Sequence, residues 1–391
     1  MPLNVSGPIS LGNIIVGQSI NLELGQAFNA QISLNDTNVR TLAGVASGAI
    51  IMPTNFWGKS STVPDLAVTA SATPFVVAYP FSASTGYGTR YANPGTLPTG
   101  QGIGLSFNPA GTALAVSHGV TPFVTAYPWS AGFGTKYANP ATLPTGFGTN
   151  AAYNPAGTVI AVSHTSTPFI SAYPWSPGFG TKFADPGTLP ANQGRNCKFN
   201  PAGTVLAVAN AISPFQAVYV WSSGFGTRYA NPATALIDTP FTVAFNPAGT
   251  AIAFAHSYTP FISTYPWSDA TGYGSRYANP ATLPAGQGNG VTFNPAGTAI
   301  VVGSNNSPFV QAYPWSAGFG TKYADPVSNP SNQVNAVAFN RAGTVISCAA
   351  SGSVGQASVS YPWSPGFGTR YADPASPPPN NGGGVAFNNV L

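Results

Sequence analysis

The chain has 391 residues and a net charge of +4, and only 5% of its residues are charged, against about 25% in ordinary soluble domains. This charge density argues against nucleic-acid binding, the two cysteines imply no disulfide framework, and no apolar run is long enough to span a membrane. A surface with so few charged residues is only weakly protected against association with other proteins. This composition is typical either of a rigid Gly- and Pro-rich protein of extracellular type or of a subunit of a large assembly.

Residues 1–62 differ from the rest of the chain and are interpreted as a separate N-terminal module. Alternating apolar residues predict strands at residues 20–24 and 31–34. Asp36 can cap a short helical turn over residues 39–42. The module is too small to bury much core alone, so we expect it to need a neighbour, either the rest of the chain or another protein.

Residues 63–391 consist of seven copies of one unit. The marker Tyr-Pro-Trp, varied in two copies, recurs every 46 to 48 residues. Its tyrosines are Tyr79, Tyr127, Tyr173, Tyr219, Tyr265, Tyr313 and Tyr361. A second marker, Phe-Asn-Pro-Ala-Gly-Thr, recurs in most copies. A fixed period of this length predicts a solenoid, a propeller or an array.

Each unit contains four short apolar runs, as at residues 104–107, 113–117, 123–127 and 135–138. Gly and Pro separate the runs, and no gap leaves room for a helix, so the pattern predicts four strands. The prolines fall at the ends of these strands, where a missing N–H is tolerated. Four strands in each of seven units predict a β-propeller.

The two ends of the repeat region predict how the ring closes. The first unit lacks its first strand, and residues 384–388 match that missing strand. We therefore predict that the C-terminal strand completes the first blade, which would remove two exposed sheet edges. The predicted fold is all-β: a seven-bladed β-propeller over residues 63–391, closed by a C-terminal strand and preceded by a small, mostly-β N-terminal module.

The unit resembles the WD40-like propeller repeat. The resemblance rests on Val-Ala-Phe-Asn-Pro-Ala-Gly-Thr at residues 243–250, followed by an apolar strand and then by a strand that ends in Trp. Trp129 is followed by Ser130 where that family has Asp, and the family's Gly-His ahead of the first strand is absent. The resemblance therefore implies the propeller fold, but not the family's buried Asp–His network or a function tied to its strict signature.

One basic residue per unit follows a Gly-Phe-Gly or Gly-Tyr-Gly turn. These seven residues, here called the basic ring, are Arg90, Lys136, Lys182, Arg228, Arg276, Lys322 and Arg370. The ring is either a cationic surface for an anionic partner or a protection of the outer sheet edges against pairing. The second interpretation is favoured, because Asp185, Asp325 and Asp373 each lie three residues after a base and neutralise part of the ring.

No catalytic, cofactor or metal site is predicted. His118, His164 and His256 occupy one position in three units, at the end of the second strand, and neighbouring copies would lie on the order of 10 Å apart, too far to share a zinc ion. The eight carboxylates form no adjacent pair, and no Gly-x-Ser-x-Gly elbow is present. Cys197 and Cys348 are expected to be buried free thiols. We therefore expect that the chain is not an enzyme.

Variation among the copies indicates one face as a binding surface. The loops between the second and third strands, and those that lead into the next unit, lie on the same face of a propeller and differ between copies. Loops on a rigid scaffold carry recognition, although drift in unconstrained loops explains the variation equally well. The predicted binding face contains Gln101, Phe147, Gln193, Gln287, Gln333, Asn305 and Asn306.

The N-terminal module resembles a short module of tailed-phage tail proteins. The resemblance rests on short stretches between residues 23 and 50 and on Phe56-Trp57-Gly58-Lys59-Ser60, where those proteins usually have Phe-Tyr-Gly-Lys-Ser. It implies that residues 1–62 dock onto a virion, with Phe56, Trp57 and Lys59 as the docking residues, and that the propeller is displayed outward.

These observations favour a non-enzymatic structural protein of a tailed bacteriophage, in the tail, a tail fibre or a surface projection. We expect it to be made in the host cytoplasm and located in the virion. Its partners would be other virion proteins through residues 1–62, a host surface glycan or protein through the propeller, and further subunits of a homo-oligomeric or multi-subunit assembly. The alternatives are an architectural brace between virion subunits, a cellular protein-interaction propeller, and a degraded glycan hydrolase.

Overall fold

A computed structural model describes residues 19–24, 26–27, 32–34, 36–44, 64–352 and 356–388. The chain separates into two compact units, one of Met1–Pro64 with Val390–Leu391 and one of Asp65–Asn389. In these described ranges, no helix has the length and apolar character needed to cross a membrane.

The described part of the first unit contains two short helices, α1 (Ile20–Glu23) and α2 (Thr37–Ala43). The predicted strand at residues 20–24 is therefore wrong, and residues 32–34 form no strand either. Ile20 and Leu24 are four residues apart, so they share one face of a helical turn, and both belong to an apolar cluster with Val39. The apolar residues whose spacing predicted a strand thus form the buried face of a helix.

Asp36 precedes α2, as predicted, but it does not cap the helix with its side chain. Its carboxylate instead accepts a hydrogen bond from the backbone N–H of Ser33, at 2.8 Å. The helix ends at Gly44, whose φ of 72° is the left-handed conformation common after a helix.

The second unit is built from seven antiparallel sheets, the blades of a β-propeller. Blade 1 joins the last strand of the chain to the first three; blades 2 to 7 follow in chain order. The strands are β1 (Asp65–Thr69), β2 (Val76–Ser82), β3 (Gly86–Tyr87), β4 (Gly102–Phe107), β5 (Ala113–His118), β6 (Val124–Pro128), β7 (Gly148–Tyr153), β8 (Val159–His164), β9 (Ile170–Pro174), β10 (Gly194–Phe199), β11 (Val205–Asn210), β12 (Gln216–Trp221), β13 (Phe225–Arg228), β14 (Pro240–Phe245), β15 (Ala251–His256), β16 (Ile262–Ser268), β17 (Gly272–Tyr273), β18 (Gly288–Phe293), β19 (Ala299–Ser304), β20 (Val310–Pro314), β21 (Val334–Phe339), β22 (Val345–Ala350), β23 (Ser358–Pro362) and β24 (Val385–Phe387).

The core lies between the blades. The second strand of a blade is buried at every residue, as in β5, because both faces of its sheet pack against other blades. The Tyr-Pro-Trp marker supplies the aromatic part of this core. Trp129 of blade 2 meets Tyr91 of blade 1 edge to face, with ring centroids 5.5 Å apart, and meets Phe107 of its own blade at 5.2 Å. Repetition of this contact from blade to blade accounts for the marker.

The outer strand is much shorter than predicted. Only β3, β13 and β17 form an outer strand, and in the other four blades the outer segment is reduced to one bridge, such as Trp129 to Phe133. Past this bridge, residues 135–138 donate a single ladder bond, from the backbone N–H of Tyr137 to the carbonyl of Ala126 at 2.9 Å. In the described part of the propeller no further strand pairs with the outer edge, so β-forming residues alone do not extend the ladder there.

The predicted pairing of the C-terminal strand is present. β24 runs antiparallel to β1, with Phe387 opposite Leu66 and Val385 opposite Val68. The seven innermost strands contact one another in the cyclic order β24, β4, β7, β10, β14, β18, β21 and again β24. They therefore surround a central channel.

The tyrosine of the marker offers an internal test of hydrogen bonding. Tyr127 is fully buried, and its hydroxyl donates to the carbonyl of Thr96 at 2.8 Å. Tyr313, its equivalent in blade 6, is equally buried, but its hydroxyl has no partner in the described part of the chain. We expect Tyr127→Phe to lower the free energy of unfolding by about 1 kcal/mol and Tyr313→Phe to leave it nearly unchanged. Denaturant unfolding of both variants checks this, and equal losses would contradict it.

Candidate functional site

The innermost strands surround the central channel, which is a cavity of the propeller. It has a volume of about 830 Å³ and is lined by residues from all seven innermost strands or the segments that lead into them. A cavity of this size is within the range that holds a small organic ligand. The side chains that project into it therefore define a candidate site.

In six of the seven blades, a β-bulge near the start of the innermost strand directs one side chain into this channel. In β4, β7, β10, β14, β18 and β21 the register with the second strand shifts between the first and third residues, so the second residue is the extra one. Bulges redirect side chains and are common next to active sites. The extra residues, here called the bulge ring, are Ile103, Thr149, Arg195, Phe241, Asn289 and Asn335, and all of them line the channel.

Gly383 takes the corresponding place in blade 1. A Cβ atom there would lie 2.8 Å from the carbonyl oxygen of Ile103, so the backbone of the neighbouring blade leaves no room for a side chain. The bulge ring therefore has a gap at blade 1, and its largest polar side chain, Arg195, comes from blade 4.

Two cations dominate the electrostatics of the channel. Arg195 and Lys198, both on β10, line it, and neither has a hydrogen-bond or ion-pair partner within the described ranges. The Arg195 guanidinium carbon lies 5.0 Å from the centre of the Phe241 ring, and its Nε is buried without a hydrogen bond. Burial lowers the pKa of both side chains below their usual values. No described Asp or Glu lines the channel to compensate the charges.

The other polar side chains of the bulge ring are engaged with the neighbouring blade. Asn289 donates to the carbonyl of Val334 at 3.2 Å, and Asn335 donates to the carbonyl of Gly382 at 2.7 Å. The Thr149 hydroxyl donates to the carbonyl of Gly194 at 2.6 Å. These bonds link one blade to the next, and they leave Arg195 and Lys198 as the charged donors available to a ligand.

Among the described residues, Lys198 is also the only long side chain at its position in the inner strands. The equivalent residues in the other six blades are small and also line the cavity: Ser106, Ala152, Ala244, Thr292, Ala338 and Ala386. The lysine side chain therefore lies at a section of the channel where the equivalent residues of the other six blades leave space.

On the predicted binding face, the loop after the second strand of a blade contacts the segment that leads into the first strand of the same blade. The backbone N–H of Asn305 donates to the carbonyl of Gln287 at 3.1 Å, and that of Thr165 donates to the carbonyl of Phe147 at 3.1 Å. Phe147 is 55% exposed. Of the seven predicted residues only Gln287 and Gln333 line the channel; Gln101, Phe147, Gln193, Asn305 and Asn306 lie outside its lining. That this face binds a partner stays a prediction.

The basic ring is engaged locally. Each base pairs with the Asp or Asn three residues later; Arg276 donates to Asn279 at 2.8 Å and Arg228 donates to Asn231 at 3.0 Å. Lys182, Lys322 and Arg370 form ion pairs with Asp185, Asp325 and Asp373. Arg90 and Lys136 donate to Asn93 and Asn139. These contacts hold the bases against the outer segment of their own blade.

The histidines are buried in their blades. The Nε2 atoms of His118, His164 and His256 are hydrogen-bonded to the hydroxyls of Thr125, Ser171 and Ser263 at 2.8, 3.0 and 3.0 Å. In the described part of the chain, no three His, Cys, Asp or Glu side chains lie close enough together to hold a metal ion. Cys197 and Cys348 are buried free thiols, as predicted. The predicted docking residues Phe56, Trp57 and Lys59 lie outside the described residues.

Arg195 and Lys198 were not among the residues that sequence analysis selected. The signal is present in the repeats: the second residue of the inner strand is Ile, Thr, Arg, Phe or Asn in different blades, whereas the residues around it are small or apolar in most copies. Variation between repeats normally falls in the loops. A position that varies within a strand therefore indicates that its side chain faces a cavity and not the packed core.

The sequence matches no protein-family model and no curated protein. The structure is similar to that of a proposed 6-phosphogluconolactonase from Bacteroides fragilis, at 11% identity and a TM-score of 0.64 over 84% of this chain and 98% of that one. A second proposed 6-phosphogluconolactonase, from Bacteroides uniformis, has 12% identity and a TM-score of 0.61 over 84% and 100%. The periplasmic gluconolactonase of Pseudomonas aeruginosa has 13% identity and a TM-score of 0.63 over 84% and 99%.

This comparison corrects the functional hypothesis. A non-enzymatic structural protein of a tailed phage is the wrong conclusion, and so is the expectation that the chain is not an enzyme, because these three solved structures with the same fold carry the names of lactonases and not of virion proteins. The resemblance of residues 1–62 to a virion-docking module is tested by no described contact and stays a prediction. At these identities the likeness establishes one thing, which is that the second unit has the β-propeller fold that these lactonases share.

Proposed function

We propose that the protein is a hydrolase of sugar-derived lactones and that its site is the central channel. The observation that carries this proposal is the pair of unpaired cations, Arg195 and Lys198, in the channel of a fold that proteins named as lactonases share. Both side chains are partly buried, and a partly buried charge without a partner is costly, so the presence of two such charges on a cavity surface indicates a functional role.

The reaction requires three tasks of the protein. Water attacks the carbonyl carbon of the lactone, the carbonyl oxygen becomes an oxyanion, and the bond from that carbon to the ring oxygen then breaks. A base must take the proton from the water, a cation or donor must stabilise the oxyanion, and an acid must protonate the departing ring oxygen.

Lys198 is suited to the two proton transfers. Burial lowers its pKa, so at neutral pH more of the amine is uncharged than in a solvent-exposed lysine. The neutral amine takes the proton from the attacking water, and the resulting ammonium gives it to the ring oxygen. The small residues around Lys198 leave space beside the amine for the lactone carbonyl.

Arg195 is suited to the oxyanion. Its guanidinium stays charged, presents several donors, and is held over the Phe241 ring. Phe241, Asn289 and Asn335 line the same level of the channel, where the aromatic ring can contact the apolar face of a sugar ring. Because the bulges belong to the inner strands, these groups are held by the rigid part of the fold.

Removing the Lys198 amine tests the proposal. We expect the Lys198→Met variant to lose about 100-fold or more in kcat/KM for glucono-1,5-lactone, the range that general-base catalysis contributes. Hydrolysis is followed by acid release in a pH-stat, with the spontaneous rate subtracted. The wild-type kcat/KM is expected to rise with pH and to level off below 10.5, the ordinary lysine pKa.

Lys136→Met is the matched control, because it removes the same charge from the basic ring outside the channel. It is expected to keep full activity. Wild-type protein that opens none of the gluconolactones or phosphogluconolactones faster than buffer does would refute the proposed function, as would a Lys198→Met variant with wild-type activity.

A further inference from the structure

Lys198 is held differently from the other lysines that the structure describes. Lys136, Lys182 and Lys322 each donate to the Asn or Asp three residues later, and two of these contacts are ion pairs. Lys198 has no hydrogen-bond or ion-pair partner within the described ranges, and no carboxylate of those ranges lines the channel beside it. Lys198 therefore lacks the contacts that hold the other three amines in their ammonium form.

The Lys198 side chain is nevertheless accessible from the channel. It is partly exposed and lines the cavity, where the equivalent residues of the other six blades are Ala, Ser or Thr. A cavity of about 830 Å³ admits small organic molecules. The neighbours of Lys198 in β10, Cys197 and Phe199, belong to the packed core. The backbone of the lysine is therefore fixed, and a molecule in the channel meets a lysine side chain held at the wall.

A neutral amine in such a place is a nucleophile toward carbonyl groups. Burial lowers the pKa of Lys198, and a desolvated lysine amine is the group that forms imines with carbonyl compounds. The nitrogen lone pair forms a bond to the carbonyl carbon, and one amine proton passes to the carbonyl oxygen. The resulting hydroxyl leaves as water with the second amine proton, and the C=N bond forms. The reaction consumes no oxidant or reductant, and water reverses it.

We infer that Lys198 reversibly captures small aldehydes as a covalent imine in the channel. This activity goes beyond lactone hydrolysis, in which the same amine only transfers protons, and it does not depend on that hydrolysis. Aldehydes are favoured over ketones because their carbonyl carbon carries a single carbon substituent and is easier to approach at the wall of a lined cavity.

Reductive trapping on the full-length chain tests the inference. Glycolaldehyde is added at neutral pH with sodium cyanoborohydride, which converts an imine into a stable secondary amine, and peptide mass spectrometry follows the labelling of each lysine over time. We expect Lys198 to be labelled about 10-fold or more faster than Lys136, Lys182 or Lys322, since each unit by which burial lowers a lysine pKa raises the neutral fraction about tenfold. Its labelling rate should also level off at a lower pH than theirs. Labelling of Lys198 no faster than that of the basic-ring lysines would overturn the inference.

The repeats offer a variant that separates the channel from the particular strand. Lys198→Met is expected to remove the fast-labelled site and to leave the labelling of Lys136 unchanged. Adding Ala338→Lys to this variant places an amine at the equivalent position of β21, which also lines the channel, and is expected to restore fast labelling. If the double variant melts below the wild type, Ser106→Lys, at the same position in β4, replaces Ala338→Lys. A folded double variant whose new amine is labelled no faster than Lys136 would show that the channel does not create the reactivity, and would overturn the inference.

The outcomes separate this inference from the proposed function. Fast labelling of Lys198 without lactone hydrolysis would support aldehyde capture and overturn the hydrolase proposal. Lactone hydrolysis that is lost in Lys198→Met, together with slow labelling of Lys198, would leave the hydrolase proposal standing and overturn aldehyde capture.

Discussion

A chain that stops at Gly384 is expected to lose most of its folded stability, because it lacks the strand that completes blade 1. Val385 and Phe387 are buried to more than nine-tenths, and the Phe387 ring packs edge to face on Phe81, with centroids 5.5 Å apart. Burial of two such side chains contributes roughly 1.5–3 kcal/mol each, and the lost backbone bonds add about 1 kcal/mol each. The sum is comparable with the 5–15 kcal/mol that stabilises a typical domain.

The truncated chain also exposes the edge of β1 to solvent. In the full chain this edge is occupied: β24 pairs with β1, and the backbone N–H of Asn388 donates to the carbonyl of Asp65 at 2.7 Å. An unpaired apolar edge is a template for aggregation. We therefore expect either insoluble protein or a melting temperature lower by roughly 10 °C or more.

A peptide added in trans separates loss of this strand from general damage. A peptide with the sequence of residues 382–388 is expected to raise the melting temperature of the truncated chain in a concentration-dependent way, because it binds only the folded state. The same peptide carrying Phe387→Asp serves as control and is expected to do nothing. A truncated chain that melts at the temperature of the full chain would show that β24 contributes no stability.

Much of the propeller could be predicted from the sequence. Short apolar runs between Gly and Pro allow only strands, and the incomplete first copy indicates what β24 must pair with. The outer strand could not be predicted in length, because residues 135–138 have strand-forming side chains but only one of their backbone groups finds a ladder partner. Strand formation depends on pairing and packing with neighbouring strands, and the outermost segment of a blade has such a neighbour on one side only.

The short N-terminal elements show a different limit. Over five residues, an apolar residue at every second position also places two of them four apart, which is the spacing of a helix. Ile20 and Leu24 follow the helical alternative because they pack with Val39 of α2. The choice between strand and helix therefore depends on a contact between two segments that are separated in sequence, and the local sequence pattern does not predict that contact.

The channel site was missed for a physical reason as well. A bulge is a property of the pairing between two strands, so one strand read alone does not show that its second residue points into a cavity. Arg195 and Lys198 occur singly in one blade and make no motif with a neighbouring carboxylate or serine. They stand out only when the seven blades are compared in the structure, because the other six blades place small or neutral residues at the equivalent positions around the channel.

The buried histidines predict a loss of stability in mild acid. His118, His164 and His256 are fully buried, and burial, with a smaller contribution from nearby Lys136, Lys182 and Arg276, lowers the pKa of each imidazole to about 4. In the unfolded chain each has a pKa near 6.5. Between these two values the unfolded state binds more protons than the folded state, so the free energy of unfolding falls as pH falls.

The contribution of the neutral histidines to the free energy of unfolding is therefore fully present above pH 6.5. It is lost progressively down to about pH 4, below which the histidines cause no further change. Each histidine removes about 1.4 kcal/mol per pH unit within this window, so the three together give a slope of about 4 kcal/mol per pH unit. Most carboxylates titrate below pH 5. The interval from pH 6.5 to 5 therefore isolates the histidines, and denaturant unfolding at several values within it measures the slope.

Asn210 occupies the histidine position in blade 4, where its amide donates to the carbonyl of Ile212 at 2.7 Å, so asparagine is a replacement that the fold already accepts. We expect each of His118→Asn, His164→Asn and His256→Asn to reduce the slope by about one third, and the triple variant to be nearly insensitive to pH in this interval. The triple variant thereby becomes the more acid-resistant protein even if it is less stable at pH 7.5. A wild-type stability that stays level from pH 6.5 to 5 would mean that the imidazoles gain protons without unfolding, and hence that water or a carboxylate reaches them inside the blades.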